Sequence, residues 1–397
     1  MADHDLTLAG VEFLISEPAQ TALSWLAGED LSPEQHLRLI SSLREIFSLQ
    51  ESGWLLDQAR LRQKAVEKFE HAEFCLFLDE ALQQASSLAL SGYHVQQLIG
   101  FSPVADLGAG IGADSIALAK AGCQVMAVEL DPIRAKLLEH NVKVSSVERQ
   151  VEILQTDWTM VKFKVNAAFI DPARRTAGKR VFTLDTMVPP ISAILELQQQ
   201  VPNLLVKVAP GIDHVEVPRD TEVEFVSLNG EMKEALLRFG ALRRGLARCA
   251  TLLPSGVQLT AETAADPDLA IGEARRFLLE PDPAVIRAGL VRPLGQLLHA
   301  SMLNADIAYL TADESVETPF ARGWQVLRQG GFHLKTLNQW LRELEAGEVV
   351  IKKRGSPIEP DSFQKRLKTA PGGRKLTVFF TMCQERPWMV LGEEVSP

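Results

Sequence analysis

One segment of this sequence contains three glycines and several acidic residues whose types and spacing are typical of a ligand-binding site. The glycines stand at alternate positions, 108, 110 and 112, between a short apolar run and a helical stretch. Glycine permits backbone conformations that other residues avoid, so such a loop lets a ligand approach the main chain closely. The spacing fits both the GxGxG pattern and the dinucleotide pattern GxGxxG/A, because Ala113 occupies the sixth position. The glycines alone leave two classes of nucleotide-bearing cofactor open.

The acidic neighbours of the loop favour one of these classes. Asp106 precedes the first glycine by two residues, and Asp114 opens the following helical stretch. Two carboxylates would repel the pyrophosphate of a dinucleotide, whereas the ammonium and sulfonium groups of S-adenosylmethionine are positive. Glu129 ends the next predicted strand, where a carboxylate can accept hydrogen bonds from ribose hydroxyls. The pattern predicts an S-adenosylmethionine site, with a nicotinamide cofactor as the alternative.

Asp157 and Trp158 extend this predicted site to the end of a third strand, EILQTDW. The carboxylate can accept a hydrogen bond from an adenine amino group, and the indole ring lies beside it in the sequence. An ordinary α/β domain whose glycines only make a turn is the remaining alternative. We predict that seven residues bind the cofactor: Asp106, Gly108, Gly110, Gly112, Glu129, Asp157 and Trp158.

The fourth predicted strand ends in IDPARRTAGKR. Asp171 and Pro172 resemble the start of the [DN]PP[YFW] motif of amino-methyltransferases, in which the acid or amide grips the target amine. Ala173 and Arg174 replace the second proline and the aromatic residue, so the target atom stays open. We predict Asp171 and Pro172 as catalytic residues. Arg174 and Arg175 are predicted to bind a phosphate-bearing substrate, with simple charge balance as the alternative.

Patterns along the 397 residues indicate two or three domains. Residues 1–90 show helical periodicity, and Ser32 with Gln35 predicts a capping box at one helix start. From about residue 100, apolar strand runs alternate with helical stretches, which is typical of βαβ units and a parallel sheet. A new arrangement begins after about residue 275, and the last fifty residues predict a strand, a helix and a closing hairpin.

Composition narrows the class of protein. The 46% hydrophobic and 23% charged residues are typical of a soluble globular chain. The four cysteines form no CxxC pair, so neither a metal centre nor a disulfide framework is expected. No run reaches the length of a membrane span, and the start MADHDLTLAG has no signal-peptide pattern. We therefore expect a cytoplasmic protein with no metal and no membrane partner.

Positive charge is concentrated near the C-terminus of this acidic chain. The net charge is −10, yet residues 351–375 contain eight Lys or Arg and two acids. That segment carries +6, so the rest of the chain carries −16. Such an asymmetry suggests a partner rich in phosphate. We predict that Lys352, Lys353 and Arg354 bind the substrate, and scattered solvated charge is the alternative.

Taken in order, these stretches resemble bacterial class I S-adenosylmethionine-dependent methyltransferases with a ferredoxin-like and THUMP-like C-terminal part. The resemblance covers most of the chain, and the segments that carry it are ARLRQKAVEKF, QQASSLALSGY, DLGAGIGADSIALA, VELDP, IDPARRTAGKRVF, LLVKVAPGID, EPDPAVIRAGLV and VVIKKRG. It implies an α/β fold with a Rossmann-like sheet, a cofactor site at Asp106, Gly108, Gly110, Glu129 and Asp157, and a reaction near Asp171.

The resemblance also implies an organisation and a function. The four expected parts are a helical domain at 1–90, a methyltransferase domain at 91–274, a ferredoxin-like segment at 275–345 and a THUMP-like domain at 346–397. THUMP domains bind RNA, so methyl transfer to structured RNA, ribosomal or transfer RNA, is expected. One alternative is a small-molecule methyltransferase. Another is an RNA-binding protein that keeps the cofactor but not the reaction. Protein partners are left open.

Overall fold

The computed structural model describes residues 6–172, 184 and 187–395, and only the backbone of residues 175–176 and 179–180. The chain forms two compact units. The first contains Met1–Thr221 and Leu236–Arg244, and the second contains Glu222–Ala235 and Gly245–Pro397. The expected division into four parts stays a prediction.

Helices form the N-terminal part of the first unit, as predicted. They are α1 (Leu8–Ile15), α2 (Glu17–Leu26), α3 (His36–Leu43), α4 (Leu49–Lys64), α5 (Asp79–Gln84) and α6 (Leu88–Leu98). The predicted capping box at Ser32 is wrong, because its side chain makes no capping hydrogen bond. The box forms at Ser48 instead: its hydroxyl accepts from the Glu51 amide at 3.3 Å, and the Glu51 carboxylate accepts from the Ser48 amide at 2.8 Å.

A parallel sheet forms the rest of the first unit. Its strands and helices are β1 (Val104–Leu107), α7 (Ala113–Lys120), β2 (Val125–Glu129), α8 (Pro132–Val144), β3 (Val151–Gln155), β4 (Ala167–Ile170), the short antiparallel pair β5 (Arg175–Thr176) and β6 (Lys179–Arg180), α9 (Ile191–Gln198) and β7 (Leu204–Val208). The parallel strands lie in the order β3-β2-β1-β4-β7. The order reverses between β1 and β4, where open α/β sheets bind ligands at their carboxyl ends.

Burial explains why these short segments become strands. Every residue of β1, β4 and β7 is buried, and most of them are apolar. A near-continuous apolar run is typical of a parallel strand covered on both faces. The predicted parallel α/β sheet is therefore confirmed.

A buried asparagine joins the helical part to this sheet. Asn141, in α8, donates from Nδ2 to the carbonyls of Leu76 at 3.1 Å and Ile111 at 3.0 Å. Its Oδ1 accepts from the Leu76 amide at 2.9 Å. One side chain thus fixes both the segment after α4 and the glycine loop.

The second unit contains two groups of strands. One group consists of β8 (Glu222–Leu228), β9 (Glu231–Arg238), whose last residues belong to the first unit, β10 (Arg248–Leu253) and β11 (Val257–Ala261). The other consists of β12 (Phe277–Pro281), β13 (Ser301–Met302), β14 (Leu310–Ala312), β15 (Ala321–Gly331), β16 (Ala346–Lys353), β17 (Arg374–Cys383) and β18 (Arg386–Val395). Strand β10 pairs parallel with β8 and antiparallel with β11.

The second group forms a seven-stranded sheet in the order β13-β14-β12-β15-β18-β17-β16. The accompanying helices are α10 (Pro283–Arg287), α11 (Val291–Leu297), α12 (Leu334–Glu343) and α13 (Pro360–Gln364). The predicted closing hairpin is β17 with β18. Trp324 packs edge-on against Phe379 with ring centroids 4.9 Å apart, inside an apolar core. None of the described helices has the length and apolar character needed to cross a membrane.

Candidate active site

The glycine loop between β1 and α7 requires glycine for reasons that differ along it. All three glycines have positive φ: +83° at Gly108, +58° at Gly110 and +99° at Gly112. A Cβ on Gly108 would lie 3.2 Å from the Asp171 carbonyl oxygen, so the backbone of Asp171 adjoins the loop. A Cβ on Gly110 would have no atom closer than 4.0 Å. The loop is therefore packed on the protein side and open at its middle glycine.

Replacing Gly112 with alanine is expected to lower the free energy of unfolding by about 2–4 kcal/mol, because the new methyl group adds both backbone strain and overpacking. Its Cβ would approach Leu138 Cδ1 to 2.5 Å, at a φ that L-residues rarely adopt. Urea denaturation measures the change. Gly92→Ala, in α6, is the control: no atom lies within 4 Å of its added Cβ, so it is expected to be neutral or slightly stabilising. Equal stability of the two variants would contradict the argument.

Glu129 lies at the end of β2, and its carboxylate hydrogen-bonds the backbone of the glycine loop. It is 7% exposed. Its Oε2 accepts from the Gly110 amide at 2.8 Å, and its Oε1 accepts from the Asp131 amide at 2.8 Å. A carboxylate offers about four acceptor sites, so each oxygen keeps one for a ligand donor. Glu129 thus fixes the open glycine and can still accept further hydrogen bonds.

Asp106, in β1, is a buried carboxyl group beside the loop. Its Oδ2 accepts from the Ser115 hydroxyl at 2.5 Å. Burial, together with the negative charges of Asp114, Asp171 and Glu129, outweighs this hydrogen bond and raises the pKa of Asp106 to about 7. The site therefore has an excess of negative charge that a positive ligand would relieve.

Asp114 has a different environment, because it pairs with a histidine from the helical part. Its Oδ1 lies 2.7 Å from Nδ1 of His94, and both side chains are buried. Burial opposes the negative charge of Asp114, but His94, followed by Lys207 and Ser86, outweighs burial and lowers the pKa of this carboxyl group. The His94 ring also packs against Phe169 in β4 with centroids 4.6 Å apart.

Asp171 follows β4 at the edge where the strand order reverses. Its Oδ2 lies 2.7 Å from Nζ of Lys207, and the exposed fractions of the two side chains are 24% and 6%. The Lys207 ammonium also donates to the Ser86 hydroxyl at 3.4 Å. Pro172, the next residue in the chain after Asp171, is buried. The sequence alone did not identify Lys207, Ser86 or His94 as site residues. Lys207 lies in LLVKVAPGID and Ser86 lies in QQASSLALSGY, two of the segments that resemble the family.

Asp157 lies after β3 and forms a local turn. Its Oδ1 accepts from the Thr159 amide at 2.9 Å and from the Thr159 hydroxyl at 2.8 Å. The Asp157 side chain is exposed, and Trp158 is half-buried. Apolar side chains are exposed at the neighbouring strand ends: Leu130 at 65% and Met160 at 81%. This edge of the sheet can contact an apolar ring, but its role stays a prediction.

Comparison with known proteins shows the family. Residues 100–171 match the TRM5/TYW2 methyltransferase domain, and residues 321–394 match the domain family described as THUMP domain-like. Proteins of two strains of Mycobacterium tuberculosis, each named an uncharacterized S-adenosylmethionine-dependent methyltransferase, are 33% identical over 340 residues. That match covers 83% of this chain and 92% of each relative. The chain belongs to the S-adenosylmethionine-dependent methyltransferases.

A solved structure shows the same fold for this methyltransferase. A protein of Porphyromonas gingivalis W83, solved as a candidate methyltransferase, superposes with a TM-score of 0.77 over 96% of this chain and 100% of its own. The two sequences are 21% identical, so this likeness concerns the fold alone. The THUMP-like match begins at residue 321, within the segment predicted as ferredoxin-like.

The residues of the methyltransferase site fit the cofactor, S-adenosylmethionine. The carboxyl groups of Asp106 and Glu129 lie beside a loop with open space at Gly110. The ammonium and sulfonium groups of the cofactor are positive, and its ribose hydroxyls are donors. An acidic site with free acceptor positions suits both kinds of group. A pyrophosphate would meet the same acids unfavourably.

The predicted substrate residues fall in different places. Arg174 lies outside the described residues, and only the backbone of Arg175 is described. In the second unit, Lys352 and Arg354 both pair with Glu280, and Lys352 lies 4.9 Å above the Trp324 ring. Lys353 pairs with Glu359 at 2.8 Å. The three predicted cations thus already have carboxylate partners.

Proposed function

We propose that this methyltransferase transfers a methyl group from S-adenosylmethionine to structured RNA, ribosomal or transfer RNA, near Asp171. The observation that carries the proposal is the THUMP-like match at residues 321–394, in the same chain as a methyltransferase domain. THUMP domains are RNA-binding modules. An excess of positive charge at residues 351–375 in an acidic chain supports the proposal. The alternative of a nicotinamide enzyme does not agree with the family.

The acids around the loop have separate roles in this proposal. Glu129 accepts hydrogen bonds from the ribose hydroxyls while it holds the Gly110 amide. Asp106 faces the positive groups of the cofactor. Its burial and the negative charges around it make a nearby positive group favourable. Asp157 and Trp158 contact the adenine. Gly108 and Gly112 shape the loop, and Gly110 leaves space for the ligand.

Asp171 and Pro172 act on the acceptor. The cofactor supplies an electrophilic methyl carbon on its sulfonium, so the protein has chiefly to orient the acceptor and to exclude water. The Asp171 carboxylate is partly exposed and fixed on one side by Lys207, which suits a group that accepts a hydrogen bond from the incoming acceptor. Buried Pro172 limits the freedom of the backbone at this point.

The affinity for S-adenosylmethionine is expected to fall about tenfold for each pH unit below 7, because Asp106 must lose its proton to face a positive group. In the cofactor-free protein the free energy of unfolding has the opposite pH dependence. Because the pKa of Asp106 is raised from 3.8 to about 7, the protonated carboxyl group contributes most to stability below pH 3.8, and this contribution is lost as the pH rises through about 7. Calorimetric titration between pH 5.5 and 7 measures the affinity.

Asp106→Asn is the matched variant for this experiment, because it keeps the size of the side chain and cannot titrate. Its affinity is expected to be weaker than that of the wild type at pH 7 and nearly constant over the pH range. An equal pH dependence in both proteins would assign the titration to another group.

RNA binding is expected to depend on salt through three cations, Lys365, Arg366 and Lys368. All three are exposed, and none forms an ion pair with a residue in the described part of the chain. If each contacts one phosphate, log K falls with log salt with a slope of about −2 to −3. Replacing all three with glutamate should flatten the slope and weaken the binding of total cellular RNA. Filter binding at several salt concentrations measures both quantities.

A triple variant with the same charge change elsewhere controls for net charge. Lys120, Lys136 and Lys143 lie on helices of the first unit, and their replacement with glutamate should leave the slope near the wild-type value.

The proposed contacts of Lys352, Lys353 and Arg354 with RNA require phosphates to replace Glu280 and Glu359 as partners. Absence of RNA binding at low salt would favour a small-molecule substrate.

The reaction itself is tested by methyl transfer. RNA from cells without this gene should take up labelled methyl groups from S-adenosylmethionine, and mass spectrometry of its nucleosides should show one modification restored by the protein. RNA that binds with no methyl uptake would favour an RNA-binding protein that keeps the cofactor but not the reaction.

A further inference from the structure

We propose that Lys207 is a positioning residue for methyl transfer: it holds one carboxylate oxygen of Asp171 so that the other oxygen faces the acceptor. This inference rests on the proposed function, because it assigns a purpose to Asp171 that only a methyl acceptor would use.

The sheet itself brings the two residues together. Strands β4 and β7 pair parallel, with Ile170 opposite Val206. Asp171, directly after β4, and Lys207, in β7, come next in the same register. The distance from Lys207 Nζ to Asp171 Oδ2 is 2.7 Å, that of a charge-assisted hydrogen bond. Rigid neighbouring strands fix the geometry better than a loop would.

Exposure distinguishes the roles of the two side chains. Lys207 is only 6% exposed, so its side chain is almost entirely shielded from solvent and from a large substrate. Asp171 is 24% exposed, so part of its carboxylate faces outward. A substrate can therefore contact Asp171 directly and Lys207 only through Asp171.

The position of Lys207 is energetically unusual for a strand of this kind. Its neighbours in β7 are Leu204, Leu205, Val206 and Val208, and all of them are buried. A buried ammonium loses its hydration, and an apolar side chain would fill the same place without that penalty. The pair is thus poorly explained as a contribution to stability alone. Orientation of Asp171 is an explanation that needs a cation at this place.

Side chains from the helical part support the ammonium. The Ser86 hydroxyl, before α6, lies 3.4 Å from Lys207 Nζ, and Ser86 also hydrogen-bonds Asp114. Asp114 is held in turn by His94 at 2.7 Å. Among the described residues, the charged groups that interact with Lys207 include Asp171 and Asp114, and Asp114 is paired with His94. This network limits the movement of Lys207 and, through it, the movement of Asp171.

A double-mutant cycle tests the proposal. The proteins are full-length wild type, Lys207→Met, Asp171→Asn and the double variant, with labelled S-adenosylmethionine and RNA from cells without this gene. Lys207→Met should lower kcat roughly 10- to 100-fold, the effect of losing one charge-assisted hydrogen bond, and leave KM for RNA and the cofactor Kd within about threefold. The double variant should be no slower than Asp171→Asn, because Lys207 acts through Asp171.

Lys207→Arg is the conservative control, because guanidinium can also donate to the carboxylate. Lys207→Arg should recover most of the lost kcat. If Lys207 were needed only for packing, the Met variant and the Arg variant would not differ in kcat in this way. Additive losses in the double variant, or a full kcat for Lys207→Met, would overturn the proposal. Cofactor binding by each variant, measured by calorimetry, shows that the site is folded.

Crystal structures give a readout that needs no activity. In Lys207→Met the Asp171 carboxylate should leave its wild-type rotamer or become disordered, and in Lys207→Arg it should not. An unchanged Asp171 in Lys207→Met contradicts the inference even if the enzyme is active. Wild-type protein that labels no RNA would instead contradict the proposed function, so the two failures are distinguishable.

Discussion

Replacing Asp171 with alanine is expected to slow methyl transfer by roughly 100- to 10,000-fold, while the affinity for S-adenosylmethionine stays within a few-fold of the wild-type value. The reason is that Asp171 contacts the acceptor and not the cofactor in the proposed site. Its loss removes an interaction made in the transition state, so kcat falls more than binding does. Single-turnover methyl transfer and calorimetric titration of the cofactor measure the two quantities.

Asp171→Asn is the control for this experiment, because alanine leaves the Lys207 ammonium buried without its carboxylate partner. Asparagine keeps an oxygen that can accept from Lys207, so the fold is perturbed less while the charge is removed. If cofactor affinity and methyl transfer fall together in both variants, Asp171 is a structural or cofactor-binding residue and the assigned role is wrong.

The second large effect is expected from Glu129→Ala, which should weaken S-adenosylmethionine binding roughly 10- to 100-fold. Loss of a hydrogen bond to a charged group costs about 1.5–3 kcal/mol, which corresponds to that range. The structure adds a second cause, because the same carboxylate holds the Gly110 amide at 2.8 Å. Calorimetry with the purified variant measures the affinity.

Two comparisons separate these causes. Glu129→Gln keeps one oxygen for a backbone amide but loses the charge, so an intermediate affinity is expected. Glu152→Ala removes an exposed carboxylate from the neighbouring strand β3 and should have no effect. Wild-type affinity in Glu129→Ala, or NAD binding that S-adenosylmethionine does not compete with, would exclude the proposed cofactor site.

The sheet and the cofactor loop could be predicted because their signals are local. Strands buried on both faces require continuous apolar runs, and the positive φ of Gly108, Gly110 and Gly112 requires glycine in a fixed spacing. Asp106 and Glu129 follow from their places at strand ends. These constraints act within about thirty residues, so the sequence displays them directly.

Lys207 could not be predicted because its partner is 36 residues away in the sequence. In LLVKV it reads as one cation in an apolar strand, and no spacing rule connects it with Asp171. The same holds for His94 and Asp114, which lie 20 residues apart on different helices. Contacts of this kind depend on tertiary packing, which a single sequence does not encode in any local pattern.

Two elements of the second unit were missed for a related reason. Strand β15 (ARGWQVLRQGG) mixes buried Trp324 with exposed charges and three glycines, so its alternation is irregular. A bulge between Val326 and Arg328 interrupts its pairing with β18. Helix α12 follows directly and buries Leu337 and Leu341. The capping box was assigned to Ser32 because Gln35 completes the same pattern that Glu51 completes at Ser48, and only the folded chain distinguishes them.

The polar contacts of Asn141 and Lys207 restrict where the chain of this enzyme can be cut into separate fragments. Asn141 holds Leu76, and Lys207 lies within hydrogen-bond distance of Ser86, so the first unit continues through residue 90 without a break. A fragment that starts at residue 91 would retain every glycine of the loop but lose those two partners. Recombination that exchanged the helical segment for another one would likewise have to supply a hydroxyl at the place of Ser86. The helical segment and the sheet are therefore expected to fold and to be exchanged only as one unit.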